Sequence, residues 1–187
     1  VWIIHCETTS GIVNTIDDIA LAVKARGRSY MVDAMSSFGA LPLDMRDGID
    51  VMVSSSNKCI EGVPGFSYVL VKRDMLVASK GMSHSVVLDL YEQWKGLEAN
   101  GQFRFTPPTH ALVAFHQAMK EHAEEGGVSA RGARYQKNAQ VLVKGMRDMG
   151  FSTLLSDNEA GPIIQTFLTP RDKNFDFEHF YEELRRR

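Results

Sequence analysis

Lys58 closes the polar run Ser54-Ser55-Ser56-Asn57-Lys58, directly after the apolar stretch Ile49 to Val53. An amine delivered by an apolar strand among small polar neighbours is poorly placed for free solvation. Partial burial would bring its pKa down from about 10.4 toward neutrality and make it a usable nucleophile and base. The competing reading is a lysine at a strand end that extends its charge to water over an apolar stem. Asp33 ends a second apolar run, Met31-Val32, at a point where an unpaired carboxylate is costly and calls for a cationic partner. A loop-capping aspartate bonded to the amides of Ser36 and Ser37 would account for it equally. Thr8 and Thr9 follow a third apolar run, Trp2 to Cys6.

These residues need a scaffold that brings three strand ends together. The first half of the chain alternates short β-branched runs with amphipathic segments and turns, which predicts an α/β sheet with helices on its faces. Strands are expected at Trp2 to Cys6, Ser29 to Val32, Ile49 to Val53 and Phe66 to Val71. A helix from Ile16, with Ile19, Ala20 and Val23 at helical spacing, should stop at Gly27. The last strand follows its predecessor through the Gly62, Pro64, Gly65 turn, too short a link for a helical crossover, so it should run antiparallel. Beyond Leu88 the pattern is helical: Leu88 to Leu97, Pro108 to Glu124, and Ala130 to Met149 ending at Gly150. Strands at Phe151 to Leu155 and Ile163 to Leu168 and a helix from Phe175 suggest part of a smaller α+β unit. The expected division is 1–127 and 128–187.

Composition narrows the function classes. With 21 Lys and Arg against 23 Asp and Glu, there is no positive excess to hold a polyanion, so nucleic acid is not an expected partner. Cys6 and Cys59 lack Cys-x-x-Cys spacing, need neither disulfide nor zinc, and fit a reducing cytoplasm. No apolar run approaches the ~20 residues needed to cross a bilayer. No metal site is expected, since adjacent His5 and Cys6 point to opposite faces of a strand. His5 and His110 are read as structural, and Cys59 as a packing residue. The chain opens on a strand-like run without Met and stops inside a helical pattern, which reads as a fragment of a longer protein.

Three runs, His5-Cys6-Glu7-Thr8-Thr9-Ser10-Gly11, Val32-Asp33-Ala34-Met35-Ser36-Ser37-Phe38-Gly39 and Ser55-Ser56-Asn57-Lys58-Cys59-Ile60-Glu61-Gly62-Val63-Pro64-Gly65, resemble the class V, fold-type I aminotransferases. Asp89-Leu90-Tyr91-Glu92-Gln93-Trp94 and Arg104-Phe105-Thr106-Pro107-Pro108-Thr109-His110 are similar to the branch that transfers the amino group of 2-aminoethylphosphonate to pyruvate. The resemblance implies a fold-type I large domain with a mixed, mostly parallel sheet, plus part of a C-terminal α+β domain. It implies pyridoxal 5'-phosphate as cofactor, an amino donor and a 2-oxo acid as substrates, and a homodimer. Lys58 would be the Schiff-base lysine and proton shuttle, and Asp33 the partner of the pyridinium nitrogen. Thr8 or Thr9 would lie near the ring and its phenolic oxygen, while Ser56 and Asn57 would line the phosphate end. Thr106 would reach the phosphate of the neighbouring subunit's cofactor; an N-cap for a helix starting at Pro107 or Pro108 is not exclusive of that.

Relatives carry a phosphate-binding loop upstream and a substrate-binding arginine downstream, so the isolated 187 residues are expected to bind the cofactor weakly. Within the same fold the alternatives are a serine–pyruvate or alanine–glyoxylate type transaminase and a non-catalytic domain. A nucleotide-binding module is disfavoured, because Thr8 to Asn14 supplies no Gly-x-Gly-x-x-Gly turn.

Overall fold

The computed structural model describes all residues, Val1–Arg187. Short apolar runs separated by turn residues pair into one sheet, made of β1 (Trp2–Ile4), β2 (Met31–Asp33), β3 (Val51–Ser55) and β4 (Ser67–Val71) in that spatial order. The first three are parallel and β4 is antiparallel to β3, the reversal that the short 56–66 connection requires. Pairing continues past the strand ends: the His5 amide donates to the Asp33 carbonyl (2.8 Å) and the Ala34 amide to the Val53 carbonyl (2.9 Å). The backbone that carries the polar clusters is therefore still part of the hydrogen-bonded ladder.

Helix α1 (Ile16–Lys24) crosses from β1 to β2 and places Ile16, Ala20 and Val23 against Tyr30, Val32, Ala34, Ile49 and Met52. That one-sided core follows from the strand period of two, which puts Val32 and Met52 on the helix-covered face and Asp33 and Val53 on the other. On the second face Ile4, Val51, Val53, Val69 and Val71 are only half-buried. Tyr30 has no exposed surface and donates its hydroxyl to the Ile16 carbonyl at 3.1 Å, tying the strand to the helix start. Below β3, the Asp50 carboxylate accepts from Lys24, from Lys72 at 3.0 Å and from the Tyr30 amide at 2.8 Å.

The rest is helical: α2 (Arg73–Ala78), α3 (Leu90–Asn100), α4 (Thr109–Glu125), α5 (Gly127–Asp148) and α6 (Phe177–Arg185). Asp89 caps α3 by accepting from the Glu92 amide at 3.0 Å. Phe115 of α4 meets Phe66 and Tyr68 at ring distances of 5.3 and 5.4 Å, closing the end of the sheet nearest the polar clusters. Between α4 and α5, Gly126 and Gly127 both adopt positive φ (111° and 70°), a break that side chains disfavour.

Three expectations need correction. Phe151 to Leu155 and Ile163 to Leu168 do not form strands; they touch as a single antiparallel bridge, Thr153 to Phe167, flanked by two amide-to-carbonyl bonds of 2.8 Å. A two-stranded ribbon without a third partner is marginal. α2 was not expected, since six residues are too few to show a period. α4 starts at Thr109 with Pro108 at its cap position and no side-chain cap, so Thr106 is not an N-cap.

Candidate active site at the carboxyl edge of the sheet

β1, β2 and β3 all deliver their carboxyl ends to one edge, the position where an open parallel sheet collects ligands. The Thr8 hydroxyl lies 3.3 Å from that of Ser36, linking the loops after β1 and β2. The Thr9 carbonyl accepts from the Thr166 hydroxyl at 2.7 Å, so the threonine loop is also held by the C-terminal segment. Gly11 sits at φ 87°, where a Cβ would come within 2.4 Å of the Ile164 carbonyl oxygen. The approach of the two segments depends on this glycine.

Asp33 is half-buried, and one carboxylate oxygen accepts from the Met35 amide at 2.8 Å. The amides of Ser36 and Ser37 are not its partners. No lysine, arginine or histidine pairs with it. Behind it, the fully buried Ser37 hydroxyl is hydrogen-bonded to His5 Nδ1 at 2.9 Å. Burial holds the His5 pKa below its ordinary value, opposed in part by the Asp17 charge. His5 is a packed, neutral strut of the site.

Lys58 differs from its expected environment. It is exposed, and its Nζ has no hydrogen bond or ion pair. The turn after β3 directs Cys59 and Ile60 inward, each 2% exposed, and leaves Asn57 and Lys58 facing out. The turn itself is rigid: the Glu61 amide donates to the Lys58 carbonyl (2.8 Å) and the Gly62 amide to the Ser56 carbonyl (2.9 Å). Ser56 also departs from expectation. It is fully buried, and its hydroxyl donates to the Val63 carbonyl at 2.7 Å, so it braces the turn and does not face the edge. Asn57 is exposed with its amide unengaged. The Ser55 hydroxyl is buried without a partner, two residues beyond Val53 on the same sheet face as Asp33. Thr106 is exposed and unpartnered, remote in sequence from the strand ends.

No local pattern points to the groups that hold the lysine turn. Arg131 on α5 is 2% exposed and donates to the Cys59 carbonyl at 2.6 Å and to Glu125 at 2.5 Å. Arg134 and Tyr135, one turn further along, reach Glu61. These partners lie more than 70 residues apart, beyond any local pattern. The thiols of Cys59 and Cys6 are both pushed up to about 11, chiefly by burial. Neither is a nucleophile at neutral pH.

The model of the class V aminotransferase family matches residues 1–183. The chain belongs to this family. Among curated relatives, 2-aminoethylphosphonate–pyruvate transaminase of Phocaeicola vulgatus is 54% identical over 99% of the chain and 51% of its own length. The same-named enzyme of Rhizobium meliloti is 51% identical over 100% of the chain and 49% of its own length. The chain therefore spans about half the length of the curated relatives it matches. Two solved structures superpose with a TM-score of 0.83. Pyridoxamine–pyruvate aminotransferase of Mesorhizobium loti is 28% identical over 95% of this chain and 46% of its own. Alanine–glyoxylate aminotransferase of a Nostoc species is 22% identical over 98% and 49%. The architecture is that of fold-type I, and no helix is long and apolar enough to cross a membrane.

The cofactor of this aminotransferase family is pyridoxal phosphate, and the residues at the sheet edge fit it. A half-buried carboxylate without a protein cation ends β2, an orphaned buried hydroxyl ends the neighbouring β3, and a free primary amine follows in the turn after β3.

Proposed function

We propose that the protein to which this chain belongs is a transaminase that moves the amino group of 2-aminoethylphosphonate to pyruvate, giving phosphonoacetaldehyde and L-alanine. The observation that carries this is the placement of Asp33 at the end of β2 and of Lys58 in the turn after the neighbouring β3, in a chain about half identical along its whole length to transaminases of that name. Pyridoxal phosphate, when bound, supplies an aldehyde carbon that condenses with amines and a ring that takes up electrons from the adjacent carbon. Lys58 would hold the cofactor through Nζ and would supply the amine that moves a proton at the substrate carbon. Its exposed, unpaired amine is free for both roles. Asp33, one of whose oxygens is left free by the Met35 amide, would hold the ring nitrogen protonated. Thr8 or Thr9 would flank the ring and Asn57 the phosphate end, with Ser56 bracing the backbone of the turn through the Val63 carbonyl.

Residues 1–127 form most of the cofactor-binding large domain, and 128–187 the linking helix and part of the small one. A homodimer is supported by the exposed apolar stretch that contains Met82, Val86, Val87, Leu88, Phe103 and Phe105 and leads to the unpartnered Thr106. In that assembly Thr106 reaches the neighbouring cofactor's phosphate. Two free thiols fit a reducing cytoplasm.

The test uses the full-length protein. Added cofactor should give a visible absorption band that is lost in Lys58→Ala, and borohydride should fix the cofactor on Lys58. Alanine should form faster from 2-aminoethylphosphonate and pyruvate than from serine. Preference for serine, or for alanine with glyoxylate, would transfer the reading to the other branch of the family. Retention of the band in Lys58→Ala would remove the lysine from its role. The isolated 187 residues should bind the cofactor weakly and turn over poorly.

A further inference from the structure

Arg131 is an unusual place for a positive charge. It lies in the second turn of a helix whose other charged residues are solvated, yet it is 2% exposed. A guanidinium leaves water only against charge and acceptors: Nε donates to Glu125 at 2.5 Å, Nη1 donates to the Cys59 carbonyl at 2.6 Å, and Glu61 lies 3.5 Å from Nη1. Buried ion pairs are often replaceable by apolar residues without loss of stability, so fold stability alone does not explain its presence. What it grips does. Cys59 follows Lys58, and the gripped carbonyl is the first beyond the lysine. Two residues on, Glu61 has φ 63°, a conformation uncommon for residues other than glycine. Glu61 is held there by Arg134 at 2.9 Å and by the Tyr135 hydroxyl at 3.1 Å, on the same face of α5. The neighbouring Gly132 presses on the other loop of the site: a Cβ there would lie 2.4 Å from the Ala40 carbonyl oxygen, in the segment that follows Asp33. One stretch of α5 thus touches both the lysine turn and the loop after the aspartate.

We propose that Arg131 is a positioning residue for Lys58, fixing the lysine's backbone through the Cys59 carbonyl while the adjacent Gly132 sets the distance of α5 from the Asp33 loop. This rests on Lys58 being the lysine that holds the cofactor. Removing the guanidinium frees the Cys59 carbonyl and takes one of three groups away from Glu61, so the lysine's backbone is held less closely. A displacement of about 1 Å at a reacting group can lower turnover by roughly 100-fold. Substrate affinity has no reason to change, because Arg131 touches no edge residue's side chain.

The experiment compares Arg131→Met, close in volume and uncharged, with Arg131→Lys in the full-length enzyme. Amide hydrogen exchange is read at Glu61 and Gly62 without cofactor, and kcat and KM with it. Arg131→Met should lose protection at those two amides by about tenfold or more, the equivalent of a charge-assisted hydrogen bond. The β2 and β3 amides should keep theirs, and kcat should fall at least tenfold with KM for pyruvate within about twofold. Arg131→Lys should recover part of both. Should Arg131→Met not fold, Glu125→Gln loosens the same guanidinium and should give a smaller loss at the same two amides. Unchanged protection in a folded variant, or loss spread evenly over the sheet, would overturn the proposal, and so would a changed KM with an unchanged kcat. If Lys58→Ala keeps the cofactor band, the assignment of the lysine fails while the exchange result still decides whether Arg131 holds the turn.

Discussion

Asp50 should be the main acid-labile anchor of the sheet. Burial disfavours its charge, but Lys24, the Tyr30 amide and Lys72 together outweigh that and hold the carboxyl at about 2, against an ordinary 3.8. Its side chain is only 8% exposed, so solvent screens these contacts little. At ~1.4 kcal/mol per unit of pKa, the difference amounts to about 2.5 kcal/mol of folding free energy at neutral pH. Because the folded pKa is depressed, this contribution is complete above the unfolded value and is lost as pH falls through 3.8 toward 2. Linkage leaves about 1.3 kcal/mol of it at pH 3. Asp50→Asn keeps an acceptor for the Tyr30 amide and removes only the charge, and the half-exposed lysines can turn to water. Urea unfolding of wild type and variant should therefore differ by roughly 2.5 kcal/mol at pH 7 and by about half as much at pH 3. A difference that stays constant with pH, or is below ~0.5 kcal/mol at pH 7, would refute the reasoning.

Two further outcomes can be checked on the same material. With both thiols pushed up to about 11 by burial, Cys6 and Cys59 should react slowly with a disulfide reagent at pH 8 in the native protein and rapidly after denaturation; rapid reaction of the native form would contradict their placement. Gly132→Ala gains about 1 kcal/mol of helix propensity, but its methyl would meet the Ala40 carbonyl oxygen at 2.4 Å. Overpacking of ~1–3 kcal/mol should win, and the melting temperature should fall.

The strands that lead to Asp33 and Lys58 were legible because each is an apolar run closed by polar residues, a local signal. So was the reversal of β4, from the length of its connection. The inward turn of Ser56 could have been read too: it is two residues from Ser54 and four from Met52, on the face that builds the core. The exposure of Lys58 could not, because it depends on how the turn to Gly62 closes. Arg131 was illegible for a different reason. Its partners, Cys59 and Glu61, come from a turn three helices earlier in the chain, Cys59 being 72 residues away, and only the packing of α5 brings them together. The shortfall of β-structure after Gly150 reflects missing neighbours, since a strand's own residues do not supply its hydrogen-bonding partner.

The connection from β3 to β4 joins two strands that are already hydrogen-bonded to each other, so both ends of the lysine's loop are pinned side by side in the sheet. Such a loop cannot swing as a lid swings. The moving part is then the lysine's four-carbon arm alone, turning on a backbone that stays still. For the role proposed for Lys58, a short arm on a fixed pivot keeps the amine within reach of one place.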